Sequence, residues 1–396
     1  MAGTKSAQKI ENFLRAGDIK AAQKKVDSLL EKNPKDADAL TFKGRILAFE
    51  GETDEAMNLL QQALEQNPNH SDALAYSGAM LLEKDQNDQA RKILKKAVAA
   101  DDNNATAHYN LARSFARSEK FNKAEKHLDK ALELDPKNGF YTFSKARLLM
   151  DLDRLEESFS TLVEAIKLNP GMVDAWLVLS EIQSSAGQFS DAADNLKQAL
   201  EVNPDDPDLL NSLGNALLAS GAVDEAIETF ERLNTAYPDE PEVLTNLSTA
   251  YAAAQRLEDA EKVLRQALGL DAKNARALYQ LGMILESTEA DELVTEAAEM
   301  FNRAIAADDN FWKPFNDLGL IHINYDAHKD YARAILLLKR AVELAPEVMD
   351  CQVNLGLAFA KKGDSEQAKT ILSQALDHEM RPELKEMAEG IIEALG

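Results

Sequence analysis

Small apolar residues return along this chain at a fixed interval. Alanine stands at Ala22, Ala56, Ala90 and Ala124, yields once to Ser158, and resumes at Ala192, Ala226 and Ala260, each 34 residues from the last. Ala297, Ala334 and Ala368 continue the column in phase. Twelve residues earlier runs a second column: Gly44, Gly78, Ala112, Ala146, Ser180, Gly214 and Ser248, then Gly282, Gly319 and Gly356. A third reads Ala63, Ala97, Ala131, Ala165 and Ala199, breaks at Leu233, and continues as Ala267, Ala304, Ala341 and Ala375. Small side chains are needed where two helices cross closely, because a large one would hold the pair apart and open voids. Gly17, Gly51, Gly187, Gly221 and Gly363 mark a turn between the two helices of each period. Pro34, Pro68, Pro136, Pro170, Pro204 and Pro238 close the periods, and the skipped beat falls on Asp102. The stretch DAWLVLSEIQSSAGQFSDAADNLKQALEVNP shows one whole unit: helix, short turn, helix, then a turn with proline.

The pattern predicts an all-α chain of eleven tandem helix–turn–helix repeats over residues 3–382 and one further helix over 383–396. In that last helix Leu384, Met387, Ala388, Ile391, Ile392 and Leu395 would face the final repeat, and Lys385, Glu386, Glu389 and Glu393 would face water, as a cap requires. The period slips twice, by three residues each time, near 287–295 and 324–330. Two matched extensions either keep stacked helices in register or form a paired protrusion on one edge. His322, His328, Asp326 and Asp330 fall in or beside the second extension. They are metal ligands by type but lack a ligand spacing, so no metal site is expected.

With Trp176, Leu179, Ser180, Ala192, Ala199 and Pro204 in phase in one unit, the pattern resembles the tetratricopeptide repeat family over nearly the whole chain. The resemblance implies a right-handed superhelical solenoid with a capping helix, in which the first helix of each repeat lines a concave groove. A pentatricopeptide-type RNA binder would show a 35-residue period and basic character, and this chain has neither.

Composition narrows the picture further. Only 17 Gly and 11 Pro, with 45% hydrophobic residues, suit an extended helical core. The formal net charge is -24, distributed unevenly: residues 1–170 hold 26 basic and 27 acidic residues, and residues 171–396 hold 18 and 41. So acidic a chain is a poor nucleic-acid binder, and the acidity either keeps a long surface soluble or lets the second half attract basic partners while the first does not repel acidic ones. The single cysteine, Cys351, permits no internal disulfide. The N-terminus is polar and no run approaches 18 apolar residues, so the expectation is a soluble cytoplasmic protein without membrane contact. No phosphate-binding loop, nucleophile elbow or zinc-protease motif is present, and no catalytic residue or cofactor is expected.

Candidate chemistry therefore lies on the groove. In the register the resemblance supplies, groove residues are the fifth, ninth and thirteenth of each repeat, a spacing that stacks them on one helix face. One segment collects Arg45, Phe49, Tyr109, Arg113, Arg117, Phe143 and Arg147. Guanidinium and aromatic groups are common interface anchors, and arginine either pairs with a partner's carboxylate or with a neighbour in its own chain. A second segment collects Asn211, Asn215, Thr245 and Thr249, with Asn316 beyond, and is similar to the asparagine-lined grooves that hold extended peptides in the family. Chaperone-binding members carry a Lys–Asn then Lys–Arg clamp at positions held here by Tyr109, Arg113, Phe143 and Arg147, so that mode is not implied. The function read from this is a non-catalytic adaptor that binds a protein or peptide partner in the groove. The alternative is a self-assembling scaffold, a homo-oligomer built on homotypic contacts.

Overall fold

A computed structural model of the chain describes residues 2–288 and 290–396, without the side chains of Ala2, Gly3, Thr4 and Arg15. The described residues form helices joined by short turns, in two compact units, Met1–Gly187 and Gln188–Gly396. Unit one contains α1 (Ala2–Arg15), α2 (Ile19–Leu30), α3 (Ala37–Phe49), α4 (Thr53–Gln66), α5 (Ser71–Glu83), α6 (Asn87–Ala100), α7 (Ala105–Ala116), α8 (Phe121–Leu134), α9 (Gly139–Asp151), α10 (Leu155–Leu168) and α11 (Val173–Ser185). Unit two contains α12 (Phe189–Val202), α13 (Pro207–Ser220), α14 (Val223–Ala236), α15 (Pro241–Ala253), α16 (Leu257–Leu270), α17 (Ala275–Glu286), α18 (Asp291–Ala307), α19 (Trp312–Asn324), α20 (Tyr331–Leu344), α21 (Met349–Lys362), α22 (Ser365–Leu376) and α23 (Pro382–Ala394).

Within each unit the two helices of a period pair, as in α3–α4, α7–α8, α15–α16 and α17–α18, and a second helix packs on the next first helix. Successive first helices also touch, as in α3–α5, α5–α7, α13–α15 and α15–α17. They make one layer of the stack, and the second helices make the other.

The small-residue columns mark the crossings. Val26, Leu60, Leu94, Leu128, Leu162, Phe230, Leu264, Phe301, Leu338 and Leu372 stand in one phase on the second helices, all essentially inaccessible to water. Each glycine of the first-helix column faces its period's member of this set. A Cβ on Gly78 would lie 2.5 Å from Leu94, on Gly282 2.5 Å from Phe301, and on Gly356 2.5 Å from Leu372. On Gly214 it would lie closer still to the Phe230 ring. Ser158 fits the alanine column because its Oγ donates to the Ala146 carbonyl at 2.8 Å. Polar caps start the first helices at the same phase: Asp36, Asn104, Asp206 and Asn274 accept from the backbone N–H three residues on. Such caps are worth about 1 kcal/mol each.

The turn between paired helices needs a left-handed residue. Gly17, Gly51, Gly187, Gly221 and Gly363 supply it, and Asp85, Glu119, Asp153 and Gln255 adopt the same positive φ at the same phase. The two extensions differ in form. α18 has 17 residues, against 14 in α16, so part of the first extension is extra helix, while the second is a 3-10 turn at Asp326–His328. They meet, with Thr295 Oγ1 3.0 Å from His328 Nε2. His322 Nδ1 sits 2.7 Å from the His328 carbonyl. Glu289, in the first extension, lies outside the described residues. α23 packs on α21 and α22 through Leu384 and Ala388. Met387, expected to face the last repeat, is 42% exposed instead.

Two stability effects follow. Gly214→Ala is expected to destabilise unit two by roughly 1–3 kcal/mol, because the methyl meets the Phe230 ring. Adding Phe230→Leu should recover most of the loss, so the urea-denaturation cycle should show coupling of the pair and additivity would refute it. Gln255→Gly should stabilise by on the order of 0.5 kcal/mol, as release from the left-handed region outweighs the extra unfolded-state freedom. A lower urea midpoint for that variant would contradict the assignment of strain.

Candidate functional site

The first-helix face of unit one carries most of the arginine–aromatic segment, but the structure divides it. α7 buries Leu111, Ala112 and Phe115, which turns Tyr109, Arg113 and Arg117 to the opposite side. Tyr109 stacks on Tyr141, with ring centroids 4.6 Å apart, and accepts a hydrogen bond from Ser144 Oγ at 3.2 Å. Arg113 donates to Glu83 at 2.5 Å and lies over the Tyr109 ring. Arg117 donates to the Leu82 carbonyl and lies 3.7 Å from Asp85. Arg147, on α9, is exposed, and among the described residues no hydrogen bond or ion pair reaches it. These residues share a cavity of about 480 Å³ with Phe140 and Phe143, with Asp151 and Asp174 also in its wall.

Arg45 and Phe49 stand apart from that cavity. Arg45 Nη1 donates to both Glu11 oxygens, at 2.9 and 2.7 Å, and its guanidinium lies over Tyr76. It belongs to a closed network with Asp72, whose carboxyl is pushed up by burial, and with the His70–Asp38 pair at 2.9 Å. Phe49 is 76% exposed and does not line the cavity that holds Tyr109 and Arg147. The expectation that all seven residues converge is corrected: local carboxylates occupy Arg45, and Phe49 ends α3 with its ring in solvent. Phe140 was missed by the register, although it lies three residues before Phe143 on the same helix face.

In unit two the polar segment is mostly turned to internal bonding. Asn211 Oδ1 accepts from Asn246 Nδ2 at 2.7 Å, tying α13 to α15. Thr245 is 1% exposed, and its Oγ1 donates to the Pro241 carbonyl at 2.7 Å, so it is not a surface residue. Thr249 Oγ1 accepts from Gln280 Nε2 at 2.9 Å. Asn316 is buried, donating to Asp317 and accepting from Asn354. Asn215 remains exposed. Asn211, Thr249 and Asn316 therefore join neighbouring first helices, and Asn211 and Asn246 also line a cavity of about 330 Å³.

A larger cavity, about 660 Å³, opens on α15, α17 and α19. Tyr279, Met283, Ile284, Leu257 and Phe311 give it an apolar surface, and Arg276 and Lys313 line it as well. The fifth- and ninth-residue register already contains Tyr279 and Met283. Their role depends on Phe311, which comes from the turn before α19 and stands edge-on to Tyr279 at 5.1 Å. Tyr279 Oη donates to Asp317 Oδ2 at 2.8 Å. Beside this bond lies Glu286, half-buried, with no hydrogen bond or ion pair reaching it among the described residues. Burial, helped by the Asp317 charge, pushes its carboxyl up to about 7.

Cys351 is buried, and burial pushes its thiol up to about 12, so it is no nucleophile at neutral pH. Among the described residues no cluster of three or more metal-ligating side chains occurs, and no helix is long and apolar enough to cross a membrane.

The raised Glu286 has a measurable consequence. Its free carboxyl titrates near 4.5 and its folded one near 7. Below 4.5 both states hold the proton, and burial carries no titration penalty. As pH rises toward 7 the unfolded state ionises first, so stability falls and then levels off. Glu286→Gln should remove this fall, and the gap in urea midpoint between variant and parent should widen from pH 5 to pH 8. A gap independent of pH would contradict the shift.

Comparison with known families matches residues 10–207, half of the chain, to the tetratricopeptide repeat protein 21 N-terminal ARM repeat. Tetratricopeptide repeat models match residues 184–248 and 327–388, and residues 245–310. No curated protein matches the sequence. Among solved structures, yeast Tom70 is similar at a TM-score of 0.50 and 14% identity, over 99% of this chain and 95% of that one. The APC/C hetero-tetramer Cut9–Hcn1 is similar at a TM-score of 0.47 and 12% identity, over 98% and 95%. Identities this low speak to the fold alone.

Proposed function

Because the chain belongs to the tetratricopeptide repeat family, we propose that it is a non-catalytic protein-binding scaffold that docks a partner segment on the first-helix face of unit one. On this reading the eleven periods over 3–382 are its repeats and 383–396 is its cap. The observation that carries the site is the state of Arg147: an exposed guanidinium without a partner of its own, in one cavity with Tyr109, Phe140 and Phe143. Unpaired arginine beside partly exposed aromatic rings is the composition of an interface anchor. Phe140, 61% exposed, adds apolar surface that a ligand would cover. The partner chemistry that fits is an acidic segment with an aromatic or aliphatic side chain, its carboxylate on Arg147 and its apolar group between Phe140 and Phe143.

Arg147→Glu is the direct test, since it breaks no hydrogen bond or ion pair among the described residues. The variant should keep its melting temperature and lose partner binding by about tenfold or more. Pull-down from native lysate with quantitative mass spectrometry compares it with the parent chain. A captured set unchanged by Arg147→Glu would refute the site. Light scattering that shows growth in mass with concentration would instead favour the homotypic scaffold.

A further inference from the structure

We propose that the cavity on α15, α17 and α19 is a second docking site, which receives a segment of a partner protein that carries a large apolar side chain and, about three residues away, an aspartate or glutamate whose carboxylate meets Arg276 and Lys313. The proposal rests on reading the first-helix faces as docking surfaces, but it uses residues of unit two alone.

The charge of the cavity runs against its surroundings. Residues 188–396 hold 18 basic against 39 acidic residues. The charged side chains in the cavity wall, Arg276 and Lys313, are nevertheless both basic. They stand 37 residues apart, at the second place of successive repeats, in the first turns of α17 and α19. In six other first helices an acid holds the same place: Asp38, Asp72, Asp174, Asp208, Glu242 and Asp350. An acid there suits the positive end of the helix, and a cation opposes it. The sign therefore reverses in the two neighbouring repeats that share the cavity, and returns to acid in α21. A local preference broken twice, side by side, marks a place where the fold has been overruled by another demand.

The fold itself does not use the two cations. Both are exposed, and among the described residues no hydrogen bond or ion pair reaches either. Lys313 lies over the Trp312 ring. Asp317, one turn along α19, feels the Lys313 charge but forms no ion pair with it, and is bound by Tyr279 Oη and Asn316 Nδ2 instead. Most neutral polar groups of the wall are bonded within the chain. Ser248 Oγ donates to Gln280 Oε1 at 2.7 Å, Gln280 Nε2 to Thr249 Oγ1 at 2.9 Å, and Ser287 Oγ to the Ile284 carbonyl at 2.7 Å. The binding capacity left open in the wall is chiefly that of Arg276 and Lys313, and a carboxylate satisfies both.

The rest of the wall sets the apolar part. At about 660 Å³ the cavity falls in the size range of sites that bury a ligand. Met283 is 47% exposed within it, between Tyr279 and Ile284, and adaptable thioether surface is common where apolar side chains dock. Arg276, Tyr279 and Met283 follow one face of α17. Met283 comes seven residues after Arg276, about 10 Å at the helical rise, which about three residues of extended chain span. That separation sets the spacing of acid and apolar group in the ligand. The acidic surplus of the unit opposes such a segment at long range, but salt screens it over about 10 Å at 0.1 M, whereas the two cations act in contact.

The test uses the full chain carrying Arg147→Glu, so that the unit-one site contributes nothing to the signal. The probes are acetylated, amidated seven-residue peptides with Leu, Met, Phe or Trp at the centre and one Glu two or three residues to either side. Each is titrated by calorimetry beside its Glu→Gln counterpart. At least one glutamate peptide should bind about tenfold tighter than its glutamine counterpart. Arg276→Gln with Lys313→Gln should bring the glutamate peptide down to the affinity of the glutamine one, and each single substitution should give part of that loss. Met283→Ser should weaken both peptides. The proposal is overturned if no glutamate peptide binds, if glutamate and glutamine peptides bind alike, or if the Arg276 and Lys313 substitutions leave the difference intact. Self-association of the chain in light scattering that the double substitution abolishes would assign the cavity to a second copy, and would overturn it too. Circular dichroism and melting temperature check each variant, and the double one should fold at least as well as its parent because two cations leave N-terminal turns. Failure of these peptides leaves the unit-one site to its own measurement on Arg147.

Discussion

Everything else in the fold depends on one contact: a residue with little or no side chain in a first helix, facing a Leu or Phe of the second helix in its period. The two phenylalanines of the second-helix set, Phe230 and Phe301, face Gly214 and Gly282, where even a methyl has no room. A contact of this kind fixes both helix separation and axial register, because the knob enters only where the groove is deepest. Repetition at the same phase then brings each second helix against the next first helix in a similar way, so local geometry propagates through a unit.

The same constraint decides what the first helices can offer to a partner. With one side of each helix committed to the small-residue crossing, the other side carries whatever residue the period places there. Much of it is spent on joining neighbours. The Tyr109–Tyr141 stack, the Asn211–Asn246 amide pair, the Tyr279–Asp317 bond and the Asn316–Asn354 pair each link adjacent first helices. A groove residue in a repeat array thus serves two demands, holding the stack and meeting a ligand. Only groups left over from the first demand are free for the second.

That division explains what was legible in the sequence. Columns such as Gly44 to Gly356 and Ala22 to Ala368 are steric requirements of every period, so the helices and their crossings could be read directly. The left-handed turn was half visible: five glycines announced it, while Asp85, Glu119, Asp153 and Gln255 hide the same conformation behind ordinary side chains. Which arginines stay unpaired was not readable, because it depends on contacts about one period away. Arg45 finds Glu11 and Arg113 finds Glu83, at separations of 34 and 30 residues, whereas Arg147 finds none among the described residues. Likewise Glu286 reads as one more solvated acid among many, and only the packing of Asp317 beside it reveals a desolvated carboxyl.

Arg147 and Glu286 are exceptions of opposite kind. An exposed guanidinium without a partner costs the fold little, since water solvates it, so its persistence says little by itself and its weight comes from the aromatic rings around it. A half-buried carboxyl raised toward neutrality does cost the fold, and glutamine at that position would avoid the charge at little change in shape. Residues that a fold retains against its own stability are concentrated where binding or chemistry needs them, though structural networks perturb acids as well. The Tyr279–Asp317 bond is such a network, and Asn316 and the Lys313 charge also hold Asp317. It does not reach Glu286, whose half-buried carboxyl has no hydrogen bond or ion pair among the described residues.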